Sequence, residues 1–140
     1  MNEYWYALVA SASGALPFLL YFVPAVLAVL GFMWVYTKLT PYDEVQLIRE
    51  NNSAASITYV GAMFGFTLPI ASVIANAVSL IDFAVWIVIA GAAQLVTFVV
   101  FRMFYPKLVE RVIAKEISVA IKLAGVSVMV GLLNAAAVTY

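Results

Sequence analysis

The sequence contains no cysteine and no histidine. Their absence removes disulfides, thiol nucleophiles, thiolate or imidazole metal sites and the commonest general base. Charge is nearly as scarce, at 10% of 140 residues, where a soluble domain carries roughly a quarter. Seven basic and seven acidic residues cancel to a formal net charge of zero, so no basic field exists to attract nucleic acid. No Asp or Glu falls in the middle of a long apolar run, which leaves a carboxylate proton relay across a bilayer without support. His-Glu-x-x-His, Gly-x-Ser-x-Gly and phosphate-loop patterns are missing, so the expectation is a protein that is not an enzyme and takes no cofactor or metal. The first residues also lack the basic stretch of a cleaved signal peptide.

What is present is apolar. Hydrophobic residues make up 66% of the chain and the mean hydropathy is +1.08. A chain of this composition has too little polar surface to face water, so it is read as an integral membrane protein. Charges are absent between Glu3 and Lys38, between Glu50 and Asp82, between Asp82 and Arg102, and after Lys122. Each gap accommodates one helix of about 20 residues, the length that crosses about 30 Å of hydrocarbon. The fold class is therefore all-α, a polytopic membrane protein with four transmembrane helices over 15–37, 56–80, 83–102 and 117–139. All seven basic residues lie in or beside the two long loops. By the positive-inside rule those loops face the cytoplasm and both termini lie outside.

Within this frame, residues 1–14 form an outer interfacial segment anchored by Tyr4, Trp5 and Tyr6, with Ser13 capping the first span. Pro24 and Pro69 remove backbone donors inside helices and mark breaks. Thr67 and Ser72 are placed to satisfy carbonyls freed by Pro69. Thr40-Pro41-Tyr42-Asp43 reads as a helix start with Thr40 as cap, leading into an amphipathic piece that buries Val45, Leu47 or Ile48. Asn51-Asn52-Ser53 supplies the next turn. Asp43 and Glu44 in that loop, with Lys107, Arg111 and Lys115 in the other, are candidates for cytoplasmic docking or lipid contact, set against capping and ordinary snorkelling. Lys122 lies about one turn inside the last span, where Glu116 or a neighbouring helix could pair with it.

Small residues at helical spacing, Gly61 with Gly65 and Gly131 with Ala135, let helix backbones approach closely in lipid. Asn76, Gln94 and Asn134 are neutral polar groups in apolar spans, read as interhelical hydrogen bonds or as the lining of a path. Pro41 and Pro106 stand 65 residues apart, as do Ile48 and Ile113 and Ser53 and Ser118. The chain thus reads as two parallel units, 15–80 and 83–140. The run Thr40-Pro41, Glu44, Gln46-Leu47-Ile48, Asn51-Asn52, Ala54-Ala55-Ser56, with Gly65, Pro69, Ile70, Asn76-Ala77-Val78 and Asn134-Ala135-Ala136, resembles the YjfL-like family. That resemblance implies a small bacterial inner-membrane protein made of two copies of a two-helix domain of unknown function. It carries no active site with it.

These readings converge on a non-enzymatic inner-membrane subunit, in contact with membrane lipids, that forms a homo-oligomer or joins a cytoplasmic or membrane protein partner through the small-residue faces, in envelope maintenance or stress. The alternative is an oligomeric channel or small transporter lined by Asn76, Gln94, Asn134 and the break at Pro69. The orientation is directly testable because no native cysteine interferes. In intact cells, a membrane-impermeant maleimide is expected to label Asn2→Cys and to reach Glu50→Cys only after permeabilisation. The opposite pattern overturns the assignment.

Overall fold

The computed structural model describes residues 2–138, and every regular element among them is helical: α1 (Asn2–Ser13), α2 (Ala15–Leu39), α3 (Glu44–Arg49), α4 (Ser53–Asn76), α5 (Leu80–Phe104), α6 (Leu108–Ile113) and α7 (Ile117–Ala137). Four helices are long and apolar enough to cross a membrane, one of them the continuous stretch Asn2–Leu39. All-helical spans are the expected solution where lipid offers no partner for backbone groups. The loops that join α2 to α4 and α5 to α7 hold α3 and α6 and gather the basic residues at one end of the bundle, called the basic end below. At the opposite end a tight turn joins α4 to α5. There Ser79 accepts from Asp82 N at 3.1 Å while the Asp82 carboxylate accepts from Val78 N at 3.2 Å, which closes the cap from both sides.

The centre of the fold is the pair α4 and α7, which make the most extensive contact of any two helices. Glycine makes this possible. A Cβ at Gly61 would stand 2.5 Å from the Ala124 backbone, and one at Gly65 would stand 2.5 Å from the Ser127 carbonyl. A Cβ at Gly131 would collide with the Gly65 carbonyl oxygen. The faces that the sequence offers for self-association are therefore closed on each other inside one chain.

Pro69 lies in this seam and has no N–H, so the Gly65 carbonyl four residues earlier loses its helical donor. Gln94 of α5 replaces it: its Nε2 donates to Gly65 O at 2.8 Å and reaches Ser127 O at 3.3 Å. The hydroxyls expected there act elsewhere, Thr67 donating to Met63 O and Ser72 crossing to Ala135 O of α7 at 2.7 Å. One buried amide thus ties α5 to both members of the central pair.

α2 packs on the outside of this trio. Phe32 stacks on Phe66 with centroids 4.2 Å apart, and Tyr36 sets its edge against Phe98. Tyr21 meets Phe83 near the start of α5 at 5.6 Å, which fixes the level of α2 against the bundle. Residues 2–20 lie beyond that level and every one is exposed. At about 1.5 Å per residue this arm extends about 28 Å past the other helices. The continuous apolar helix Asn2–Leu39 contains the expected 15–37 span, and residues 2–14 extend it without a break. Ser13 does not cap α2. Its hydroxyl donates back to Ala10 O, and Gly14 keeps helical angles that carry the axis through.

The two loops are built alike. Asn51 and Lys115 both adopt the left-handed backbone, at φ 63° and 64°, and each ends the turn after a six-residue helix. These markers stand 64 residues apart, where the sequence pairs were spaced at 65. Ile113, expected opposite Ile48, is consequently exposed. Asn52 joins the loops. Its Oδ1 caps α4 by accepting from Ala55 N at 3.0 Å while its Nδ2 donates to Val112 O at 3.0 Å.

Gly65→Ala and Gly131→Ala are expected to lower the stability of the detergent-solubilised protein by about 1–3 kcal/mol through overpacking. Gly125→Ala is expected to be neutral, because nothing lies within 4 Å of its added methyl. Thermal unfolding followed by tryptophan fluorescence distinguishes them. Equal melting temperatures for all three would exclude the close seam.

Candidate functional site

The polar residues singled out in the spans do not converge on a path. Asn76 donates to Ser72 O of its own helix at 2.8 Å, and Gln94 is committed to the central seam. Asn134 is half-buried, with Nδ2 unpartnered among the described residues. Ala135 contributes its carbonyl to Ser72. Pro69 is buried in the seam, whereas Pro24 sits half-buried in α2 beside an apolar groove. That groove encloses about 410 Å³ between α2 and α4, with Phe22, Val26, Met63, Phe64 and Ile74 among its walls.

The loop cations are equally dispersed. Lys107 and Lys115 are exposed. Arg111 pairs with Glu116 at 2.5 Å, so Glu116 is not the partner of Lys122. The Lys122 ammonium instead lies 5.0 Å from the Tyr105 ring centroid, an attraction that draws on the ring quadrupole.

The unexpected group is Glu44. The sequence suggested a wet carboxylate beside Asp43, available to a docking partner. In the fold the two neighbours part company. Asp43 is the N-cap of α3, accepting from Gln46 N at 3.0 Å, and stays exposed. Thr40, expected in that capping role, ends α2 and donates to Thr37 O. With the cap at Asp43, the first helical residue turns inward, and Glu44 is 1% exposed. Val45 points outward at 44%, while Leu47 and Ile48 are half-buried. Glu44, Leu47 and Ile48 share one face by their spacing of three and four. That wheel was legible in the sequence, and the charge of Glu44 obscured it.

Around the carboxylate lies a polar shell drawn from three elements. Tyr36 comes from α2, Thr40 and Tyr42 from the loop, and Thr58 from α4, and all four are buried. Glu44 acts electrostatically on both Tyr36 and Tyr42. No hydrogen bond of ordinary geometry reaches either Glu44 oxygen or the Tyr42 hydroxyl among the described residues, although the Thr40 hydroxyl stands near the carboxylate and the Thr58 hydroxyl near the phenol. Three unpartnered buried oxygens in one place are unusual, because such groups cost about 1–3 kcal/mol each. A mouth of about 430 Å³ lined by Thr37, Lys38, Thr40, Pro41, Tyr42, Asp43, Glu44 and Val45 opens beside them.

Burial raises the Glu44 carboxyl from 4.5 to about 8, with Asp43 adding to the rise and the nearby Thr40 hydroxyl opposing it. Burial, and secondarily the Glu44 charge, pushes the Tyr42 phenol well up. No direct signal in the sequence groups Tyr36, Tyr42, Thr40 and Thr58, since only the folding of the loop under α4 unites them.

Between about pH 4.5 and 8 the folded chain keeps a proton that the unfolded chain has released. It therefore binds more protons, and stability falls as pH rises through that window. Above about 8 the dependence levels off. Glu44→Gln removes it, so the variant is expected to melt above wild type at pH 9 and to match it near pH 5. Parallel pH profiles from 5 to 9 in choline chloride would show that Glu44 is not buried as described.

Comparison with known proteins supplies the context. A family model described as Domain of Unknown Function (DUF350) matches residues 9–138. The UPF0719 inner membrane protein YjfL of Escherichia coli strain K12 is 36% identical over 125 residues, covering 89% of this chain and 95% of the relative. The protein of the same name from Escherichia coli O157:H7 matches to the same extent. No solved structure matches the chain. With four membrane-spanning helices and a match along nearly its whole length, the chain is a multi-pass inner-membrane protein that belongs to the DUF350 family.

Proposed function

We propose that this protein is a non-enzymatic inner-membrane subunit that assembles with further copies of itself through the arm formed by residues 2–20. The observation behind this reading is that about 28 Å of apolar helix lies beyond the bundle with no intrachain contact to bury it. Leu8, Val9, Leu16, Phe18 and Leu19 are all at least half exposed there. Ala7, Ala10, Ser11 and Gly14 fall on one face at spacings of three and four, which suits a close helix–helix contact. Glu3 is the only charged residue of the arm, so two parallel arms would meet with little repulsion. A twofold axis along the membrane normal brings identical faces together.

The internal closure of the α4–α7 seam supports the same reading, because the small-residue face of the arm stays exposed while that of the seam is occupied. The hydrogen bonding of Gln94 and Asn76 within the chain weighs against a path lined by those residues. In this reading the arm is periplasmic, the basic end is cytoplasmic, and the assembly serves envelope maintenance.

Native mass spectrometry from nanodiscs tests the reading. Wild type is expected as a dimer or higher species, and deletion of residues 2–14 or Gly14→Leu is expected to shift it towards monomer with the melting temperature of the bundle retained. A monomeric wild type, or an assembly untouched by the deletion, overturns it.

A further inference from the structure

Independently of how copies associate, the pocket beside Glu44 has the features of a ligand site. Glu44 is 1% exposed, and both its carboxylate oxygens and the Tyr42 hydroxyl lack hydrogen bonds of ordinary geometry among the described residues. The second loop shows what packing alone requires at this place. Glu44 is the first residue of α3, and the first residue of the matching helix α6 is Leu108, which is 0% exposed. An apolar side chain therefore fills the equivalent position, and burial of this helix end does not call for a carboxylate.

The groups facing Glu44 are Tyr36 from α2, Thr40, Tyr42 and Asp43 from the loop, and Thr58, which faces Tyr42 from α4. Lys38 also borders the mouth, but its ammonium lies 5.7 Å from the Trp34 ring centroid and makes no ion pair within the described residues. Among the described residues no cation forms an ion pair with the Glu44 carboxylate. We propose that this pocket binds a small monovalent cation, held by the Glu44 carboxylate and the Tyr42 phenol oxygen.

The donor chemistry selects the class of ligand. All the available atoms are hard oxygens, which suit alkali or ammonium ions and not thiophilic metals. A single buried carboxylate supplies one negative charge, whereas sites for calcium or magnesium usually gather more. Asp43 does not add a second inward charge, since its side chain is exposed and engaged with the Gln46 amide. Among the described residues no three His, Cys, Asp or Glu side chains come together to hold a metal ion.

The test is thermal unfolding of the purified full chain at pH 9 in sodium, potassium, ammonium or choline chloride at matched ionic strength. A ligand that binds the folded state raises its melting temperature by mass action. At least one small cation is expected to raise it over choline by about 3 °C or more at tenfold its half-saturating concentration. The ranking of the three salts identifies the ion. Glu44→Gln is expected to abolish the difference. Tyr42→Phe keeps the carboxylate and is expected to raise the half-saturating concentration several-fold.

Equal melting in all four salts overturns the proposal and leaves Glu44 as a proton-binding group only. A cation effect that persists undiminished in Glu44→Gln overturns it as well, by placing the ion elsewhere. Should Glu44→Gln fail to fold, an unchanged half-saturating concentration in Tyr42→Phe has the same force. None of these readings depends on the oligomeric state, so failure here and failure of arm-mediated assembly are separable.

Discussion

A single carbonyl without its helical donor organises the membrane interior of this protein. Pro69 deprives Gly65 O of its amide, and no water is available at that depth to replace it. The Gln94 side chain does so from α5, and in reaching Gly65 it comes within 3.3 Å of Ser127 O on α7. Three helices are held at one point because the backbone of one of them is incomplete. The close approach of α4 and α7 is part of the same arrangement. With side chains larger than hydrogen at 61, 65 and 131 the helices would stand too far apart for one amide to touch both. Glycine, proline and glutamine at these positions are thus one device, although each has a separate local explanation.

The basic end follows different physics. Here polar groups are buried outside the spans, and their hydrogen bonds decide the course of the chain. Asp43 caps α3 and thereby turns Glu44 inward. Asn52 caps α4 and also donates to the carbonyl at the end of α6. Left-handed residues at Asn51 and Lys115 provide the two sharp exits. Asn tolerates that conformation well and Lys does so at some cost. Tyr36 of α2 and Tyr42 of the loop face the carboxylate and Thr58 of α4 backs Tyr42, so its environment belongs to the tertiary fold and to no one segment.

This contrast explains what the sequence disclosed. Gaps between charges announced four helices, because lipid penalises charge and backbone gaps uniformly along the chain. The glycines announced a close helix pair but not its partner, since the same stripe serves contacts within a chain and between chains. The polar residues of the spans were visible as a set, yet Gln94 bridges three helices while Asn76 bonds its own. Glu44 was noticed and misplaced. Its acidic character suggested exposure, and the cap that turns it inward is Asp43, three residues after the Thr40 that the Thr40-Pro41 pattern indicated. The arm beyond Tyr21 could not be measured from composition, because its apolar residues continue those of the span without a break.

The bond from Asn52 to α6 has a mechanical consequence. The loop that carries Glu44 ends at Asn52, and that side chain grips the loop that carries Lys107, Arg111 and Lys115. A rigid coupling of this kind makes the whole basic end one plate resting on the helix ends. The start of α4 and the adjoining cationic loop share the Asn52 side chain, so a displacement of either at that point is passed to the other. A buried event too small to be seen from outside would reach the surface as a shift of positive charge.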